Sequence, residues 1–482
     1  MYKLLAWVAL GVWVANAQQV QLKIPRLQQT GIEGDWIGSL ESNAMRLRIG
    51  LHISRTPSGE LVSTLDSLDQ GAKGIPVQKV TYIGNKLRLD MPNLNAVYEG
   101  VLSDEITITG TFTQSAPVPL NFRRAEIATG RSRSQVPKPP FPYSEEEASY
   151  RNGPIRLSGT LTVPGGDGRF PAVLLISGSG PQDRDGSLFE HQPFRVIADY
   201  LGRRGIAVLR VDDRGTGNSS GAVALATLDD LAGDVLAGVA FLKSHGRIDG
   251  TRIGVIGHSE GGVVGPLAAS RSADIALVVL LAAPGVTGEE LLYRQAELIA
   301  RSGGAGDAAI AQNRALQSMI FDTLRAEPNA QAARARMGVQ WEKLKAAMPD
   351  EMRKQMGNGD AAMQREFDRV LAPEMRSFVF HEPAPVLRKI KVPVLALNGS
   401  RDIQVSPQQN LPAIRSAVSG NPNATVVELP GLNHLFQKCV GCNLGEYGDI
   451  DETFSPSALE LLGDWLVKHT TAAKTPVPSA PK

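Results

Sequence analysis

Five almost unbroken apolar runs recur through the larger, C-terminal part of this 482-residue chain, and they constrain its fold more than any other feature. They are Val173–Ile176, Ile206–Val211, Ile253–Ile256, Ala276–Leu281 and Val394–Leu397. A strand with one face in water alternates apolar and polar residues, whereas a strand covered by helices on both faces does not need to. Helix-type sequence lies between the runs; in Leu228–Ser244, for example, Leu231, Val235, Val239 and Leu242 step by three or four. Strand and helix in alternation predict an α/β, doubly wound, mostly parallel sheet. Val286–Pro385 breaks the rhythm with helical sequence alone, including the amphipathic stretches Glu289–Arg301 and Gln331–Met348, with breaks at Gly303-Gly304 and Gly357-Asn358-Gly359. A helical cap inserted at about 286–385 is expected over the carboxyl edge of the sheet, where open α/β folds bind ligands.

The chain before this region has a different period. Met45, Leu47, Ile49, Leu51 and Ile53 alternate with Arg46, Arg48, Gly50 and His52, and similar short runs continue to Phe122 between Gly, Asn, Asp and Pro turn residues. Residues 18–128 are therefore expected to form a small all-β barrel or sandwich of roughly eight strands, since closure removes exposed edges. A Pro-rich linker is expected at 129–150, where Val136–Pro142 is followed by Glu145-Glu146-Glu147, then a catalytic domain over 151–469 and a disordered tail over 470–482. Residues 1–17 resemble a signal peptide: a basic start at Lys3, an apolar run from Leu4 to Val14, and Ala15-Asn16-Ala17 as the cleavage site. That run falls short of the roughly 20 residues that span a bilayer, so no integral membrane segment is expected after cleavage and the protein is expected to be exported, periplasmic or secreted.

Composition adds exclusions. Hydrophobic residues at 42% and charged residues at 21% describe a globular chain, and 50 Lys plus Arg against 49 Asp plus Glu leave no broad positive field for nucleic acid. The two cysteines, Cys439 and Cys442, form a single C-x-x-C. With no second pair a zinc site is not expected; in an exported chain the pair is a disulfide candidate, with free thiols the alternative.

The chemistry centres on Ile253–Gly262, where a buried strand runs into Gly257-His258-Ser259-Glu260-Gly261 and then into small helix-forming residues. A strand-to-helix turn of this kind strains the serine backbone and lifts its hydroxyl out, with glycines two residues to either side making room. Ser259 is the expected nucleophile. A serine needs a base and an orienting acid, in the chain order Ser, Asp or Glu, His. Of the seven histidines, His434 alone follows the nucleophile in a loop after a strand, Thr425–Leu429. Asp402, in the turn after Val394–Leu397, is the expected acid; Asp449 and Asp451 come after His434 and fit the order badly. The oxyanion needs two backbone donors, and the amides of Glu260 and Ser179 stand in the expected places.

On these residues, 153–468 resembles the α/β-hydrolase superfamily, in its carboxylesterase-like branch. Asp212–Ser219 resembles the D-x-R-G-x-G-x-S turn of that fold, and Gly159–Pro164 its opening hairpin. Ser177-Gly178 departs from the His-Gly of many relatives. The all-β unit looks like the lipocalin-like modules attached to some secreted hydrolases, through Gly34-Asp35-Trp36 and Asp66–Ala72. The resemblance implies a serine hydrolase acting on a small-molecule carboxylic ester, without cofactor or metal. Two alternatives stand beside it. One is a serine peptidase of the prolyl oligopeptidase kind, although Gln18–Arg124 is too short for a propeller built of repeats of about 40 residues. The other is a binding protein with an idle triad.

Overall fold

The computed structural model describes residues 31–42, 45–70, 72–114, 117–124, 133–347 and 359–471. The expected signal peptide, and the expected tail beyond Thr471, lie outside these residues.

The N-terminal unit is one antiparallel sheet of ten strands: β1 Gly34–Ser42, β2 Met45–Arg55, β3 Leu61–Ser67, β4 Ala72–Val77, β5 Lys79–Ile83, β6 Lys86–Met91, β7 Ala96–Asp104, β8 Thr107–Thr113, β9 Pro117–Pro119 and β10 Phe122–Arg124. Their order is β4-β3-β2-β1-β10-β8-β7-β6-β5, with β9 added to β8. The sheet curls until β3 approaches β5 and β4 approaches β6, a nearly closed barrel around Trp36, Leu51, Leu89, Tyr98 and Phe122. Among the described residues, ten strands stand where roughly eight were expected. Gly34, Asp35, Gly38 and Ser39 hide the period of β1, yet all nine of its residues pair with β2. The run Val118–Phe122 is divided between β9 and β10.

The second sheet has eight strands: β11 Tyr143–Asn152, β12 Ile155–Pro164, β13 Phe170–Ile176, β14 Ala207–Val211, β15 Ile248–His258, β16 Ile275–Leu281, β17 Val394–Gly399 and β18 Ala424–Leu429. Their order is β11-β12-β14-β13-β15-β16-β17-β18. The first two form a hairpin in which β12 alone runs against the other strands, pairing antiparallel with both β11 and β14, and β13 through β18 run parallel. Along β13, Ala172, Leu174 and Ile176 face one core and Val173 and Leu175 the other, which is why no polar residue interrupts the run. Helix α1 (Pro193–Gly202) and the C-terminal helix Pro456–Thr471 cover one face; α2 (Leu228–Ser244) and α3 (Gly261–Ala269) cover the opposite one. Between β16 and β17, the described residues form six helices, from Gly288–Ser302 to Pro383–Leu387, over a core including Phe321, Met337, Trp341 and Phe367.

Two expected boundaries move. Residues 143–150 of the expected linker lie in β11, an edge strand whose Glu145, Glu146 and Glu147, though still exposed, pair with Arg210, His245 and Arg184. The helix that ends at Thr471 takes in Thr470, which is buried, with its hydroxyl donating to Leu466 O at 2.8 Å and its carbonyl accepting from Arg252.

Candidate active site

The turn between β15 and α3 holds Ser259 at φ +54°, the left-handed region that costs an L residue free energy. The Ser259 amide donates to Leu281 O at 2.9 Å, and its carbonyl accepts from Gly262. The surrounding glycines are compelled by close approach. A Cβ on Gly257 would lie 2.0 Å from Gly261 O, one on Gly261 would lie 2.4 Å from Ile176 O, and one on Gly262 would lie 2.3 Å from the Ala283 Cβ. The pattern G-x-S-x-G-G is therefore a packing requirement of a strand turning sharply into a helix.

Asp402 and His434 come together from the ends of β17 and β18, which are neighbours in the sheet. His434 Nδ1 donates to Asp402 Oδ2 at 2.8 Å, while Asp402 Oδ1 accepts the backbone amides of Gln404 at 2.8 Å and Val405 at 2.9 Å. The Asp402 side chain has no exposed surface, and that of His434 has 6%. With Nδ1 donating, the lone pair of the neutral ring lies on Nε2. The His434 loop is shaped by Asn433, whose Oδ1 accepts from the amides of Leu435 and Gln437. Among the described residues no hydrogen bond joins Ser259 Oγ to His434. The two are nevertheless brought side by side: the ring of His258, next to Ser259, is 4.7 Å from the His434 ring, and its Nε2 donates to His434 O at 3.0 Å. Burial, and then the neighbouring His434, push the His258 pKa down to about 3, so this imidazole stays neutral. Catalytic hydrogen bonds often tighten only around a substrate.

The loop after β13 passes directly beside Ser259, since a Cβ on Gly178 would lie 3.2 Å from the Ser259 Cβ. Ser179 is exposed, and its amide donates to no described residue. Glu260 is the residue that precedes the first turn of α3, so its amide opens the helix and aligns with the positive end of the helix dipole. Asp213 holds the loop from behind: its carboxyl accepts from Ser177 Oγ at 2.6 Å and from the Gln182 amide at 2.9 Å. Burial pushes the Asp213 pKa up to about 7, against those hydrogen bonds and with the help of Glu374 and Asp212. Asp212 accepts from the Arg184 amide at 2.8 Å, and its carbonyl accepts from Ser219 Oγ at 2.8 Å, which accounts for the D-x-R-G-x-G-x-S turn. Cys439 and Cys442 are joined as a disulfide. The pair sits against the His434 loop, where the Cys439 amide donates to Gly431 O and Leu432 pairs with Lys438.

The sequence model of the alpha/beta hydrolase family matches residues 173–438, more than half of the chain. This protein belongs to the alpha/beta hydrolase family. Esterase EstD of Thermotoga maritima is 26% identical over 462 residues, 90% of this chain and 98% of that protein, a span long enough to take in much of the β domain. Among solved structures, the Pyrococcus furiosus esterase Pf2001 aligns at 17% identity over 68% of this chain and 91% of its own, with a TM-score of 0.42. Est1E of Butyrivibrio proteoclasticus, bound to ferulic acid, aligns at 18% identity over 67% of this chain and 97% of its own, with a TM-score of 0.38.

In this hydrolase several residues of the site escaped the sequence reading. His258 precedes Ser259 and so does not fit the expected chain order, yet it braces the His434 loop through its contact with the His434 carbonyl. Gln404 and Tyr447 back Asp402, with the Gln404 amide donating to Asp402 Oδ1 and Gln404 Nε2 donating to the Tyr447 hydroxyl at 3.2 Å. Only Gln404 carries a local signal, two residues beyond Asp402. Among the described residues no helix is long and apolar enough to cross a membrane, and no group of three or more His, Cys, Asp and Glu side chains is arranged to hold a metal ion.

Proposed function

We propose that this hydrolase cleaves carboxylic esters of small molecules through an acyl-enzyme on Ser259. The observation that carries the reading is the left-handed Ser259 between compelled glycines, set beside a buried Asp402–His434 pair whose free ring nitrogen is Nε2. Ser259 Oγ attacks the ester carbonyl while its proton passes to His434 Nε2, and Asp402 stabilises the imidazolium that results. The amides of Glu260 and Ser179 hold the oxyanion. Collapse of the tetrahedral intermediate expels the alcohol, which takes the proton from His434. Water then repeats the sequence on the acyl-enzyme and returns the free serine and a carboxylic acid. The esterase named for Thermotoga maritima supports an ester substrate. We infer export from the first 17 residues, which have the composition of a signal peptide.

The test is a panel of nitrophenyl esters of increasing acyl length run beside a peptide panel. Ester turnover is expected, falling on the order of a million-fold in Ser259→Ala at unchanged melting temperature, as for the loss of a triad nucleophile. Residual activity within tenfold of wild type would refute the nucleophile, and turnover confined to peptides would move the assignment to the peptidase alternative.

A further inference from the structure

The β domain meets the catalytic domain at its most constrained bend. Phe189 and Glu190, a few residues past the oxyanion loop, are consecutive non-glycine residues at φ +51° and +63°. Such a bend persists only where its surroundings hold it. One grip comes from the turn after β3: the Phe189 amide donates to Asp69 O at 2.6 Å. Arg48 on β2 makes the second grip. Its Nε donates to Asp69 Oδ1 at 2.9 Å, its own amide donates to Asp69 Oδ2 at 2.6 Å, and its Nη2 lies 2.9 Å from Glu190 Oε2. The side chains of Asp69 and Glu190 are only 6% and 12% exposed, so the cluster is screened little by solvent.

From this bend the contacts lead to the acid and the base. The Phe189 ring stands edge-on to Tyr447 at 6.2 Å. The Tyr447 hydroxyl accepts from Gln404 Nε2, and the Gln404 amide is one of the two that hold Asp402. Leu47, next to Arg48, is buried in a cluster with Phe189, Tyr447, Ile299 of the cap and Leu435, the residue after His434. An independent module on a flexible connector would be expected to touch its neighbour through a small polar surface. Here a charged clamp and an apolar plug from one strand reach the residues that flank the acid and the base. The described end of the connector is tied down, with Arg133 buried and donating to the carbonyls of Phe189, Gly448 and Ile450.

We propose that the β domain is a working part of the active site, with Arg48 and Asp69 as positioning residues that clamp the Phe189–Glu190 bend and so fix the loops bearing Asp402 and His434. The proposal rests on the serine-hydrolase reading of that site. It assigns the β domain to the catalytic step, because the clamp reaches the loops of the reacting groups and makes no use of a bound ligand.

The experiment uses the full chain with Arg48→Ala, Arg48→Lys and, as a control on the far side of the barrel, Arg88→Ala. Steady-state hydrolysis of a nitrophenyl ester, the rate of Ser259 phosphonylation by a fluorophosphonate, and calorimetric melting are measured for each. Arg48→Ala is expected to lower kcat by about 10- to 100-fold, the range that small misplacements of reacting groups produce, with KM changed less than about twofold and phosphonylation slowed in step. Arg48→Lys should recover part of the loss, since an ammonium can pair with Asp69 and Glu190 but cannot reproduce the two-pronged contact. Arg88→Ala should match wild type. If Arg48→Ala does not fold, Asp69→Asn keeps the backbone acceptor for Phe189 and should lower kcat about threefold or more. A folded variant with wild-type kcat and phosphonylation would overturn the clamp alone. A wild-type protein that the fluorophosphonate does not label at Ser259 would overturn the serine-hydrolase reading, and the clamp with it.

Discussion

Asp402→Asn preserves the outline of the side chain and inverts the proton on His434. Two backbone amides, those of Gln404 and Val405, point at Asp402 Oδ1 and can be answered only by an acceptor. The Asn oxygen must therefore take that position, which turns its NH2 toward His434 Nδ1, now 2.8 Å from Oδ2. Nδ1 becomes an acceptor, the ring proton moves to Nε2, and no lone pair remains to receive the serine proton. The expected loss is about 10⁴-fold in kcat, or ~5.5 kcal/mol of transition-state stabilisation at 1.36 kcal/mol per tenfold. Stability should fall much less, by about 1–3 kcal/mol for one charge-assisted hydrogen bond. Asp402→Ala separates the two effects: it leaves both amides unanswered in a site with no exposed carboxylate surface, at a cost of ~1–3 kcal/mol each, but it does not force the wrong tautomer. The expected order is wild type, Asn, Ala in melting temperature and wild type, Ala, Asn in kcat, read by calorimetry and by hydrolysis of a short-chain nitrophenyl ester. An Asn variant faster than the Ala variant, or within tenfold of wild type, would refute the reasoning.

Three further outcomes follow from the same geometry. Gly261→Ala should abolish ester hydrolysis and destabilise the fold by more than the usual ~1 kcal/mol of a point change, because its Cβ would press on the carbonyls of Ile176 and Ser177 at 2.4 and 2.5 Å; a variant with wild-type melting and rate would contradict the turn geometry. Asp213, raised by burial from its ordinary 3.8 to about 7, binds its proton more tightly folded than unfolded, so its contribution to stability is fully present below about pH 4 and is lost as pH rises toward 7. Asp213→Asn should flatten that part of the stability profile by up to about 4 kcal/mol, and chemical denaturation at pH 4, 5.5 and 7 giving parallel curves for both proteins would count against it. Reducing the Cys439–Cys442 disulfide returns little chain entropy to the unfolded state, since the loop is short, but frees the segment tied to Gly431; activity is expected to fall severalfold while melting moves little, and equal rates before and after reduction would remove the effect.

Local pattern was enough for the parts of this protein whose physics is local. An apolar run without alternation implies a strand covered on both faces, and a serine between glycines at the end of such a run implies a turn that only glycine neighbours permit. The chain order Ser259, Asp402, His434 is written in the sequence, while the contact between Asp402 and His434 exists because the sheet order sets β17 beside β18 and leaves both loops at one edge. What the sequence did not disclose depends on which distant segment arrives opposite each residue. Glu145–Glu147 resembles a solvated run until Arg210, His245 and Arg184 are set against it, and β1 carries too many small and polar residues to show a period until β2 pairs along its whole length. His258 is merely the residue before Ser259 until the His434 carbonyl lies 3.0 Å from its ring. Arg48 and Asp69 are ordinary strand and turn charges until the fold delivers Glu190 and the Phe189 amide to them. Periodicity and strained turns are written in neighbouring residues, whereas an ion pair or a brace exists only through its partner, and partners far apart in the chain are brought together by tertiary structure alone.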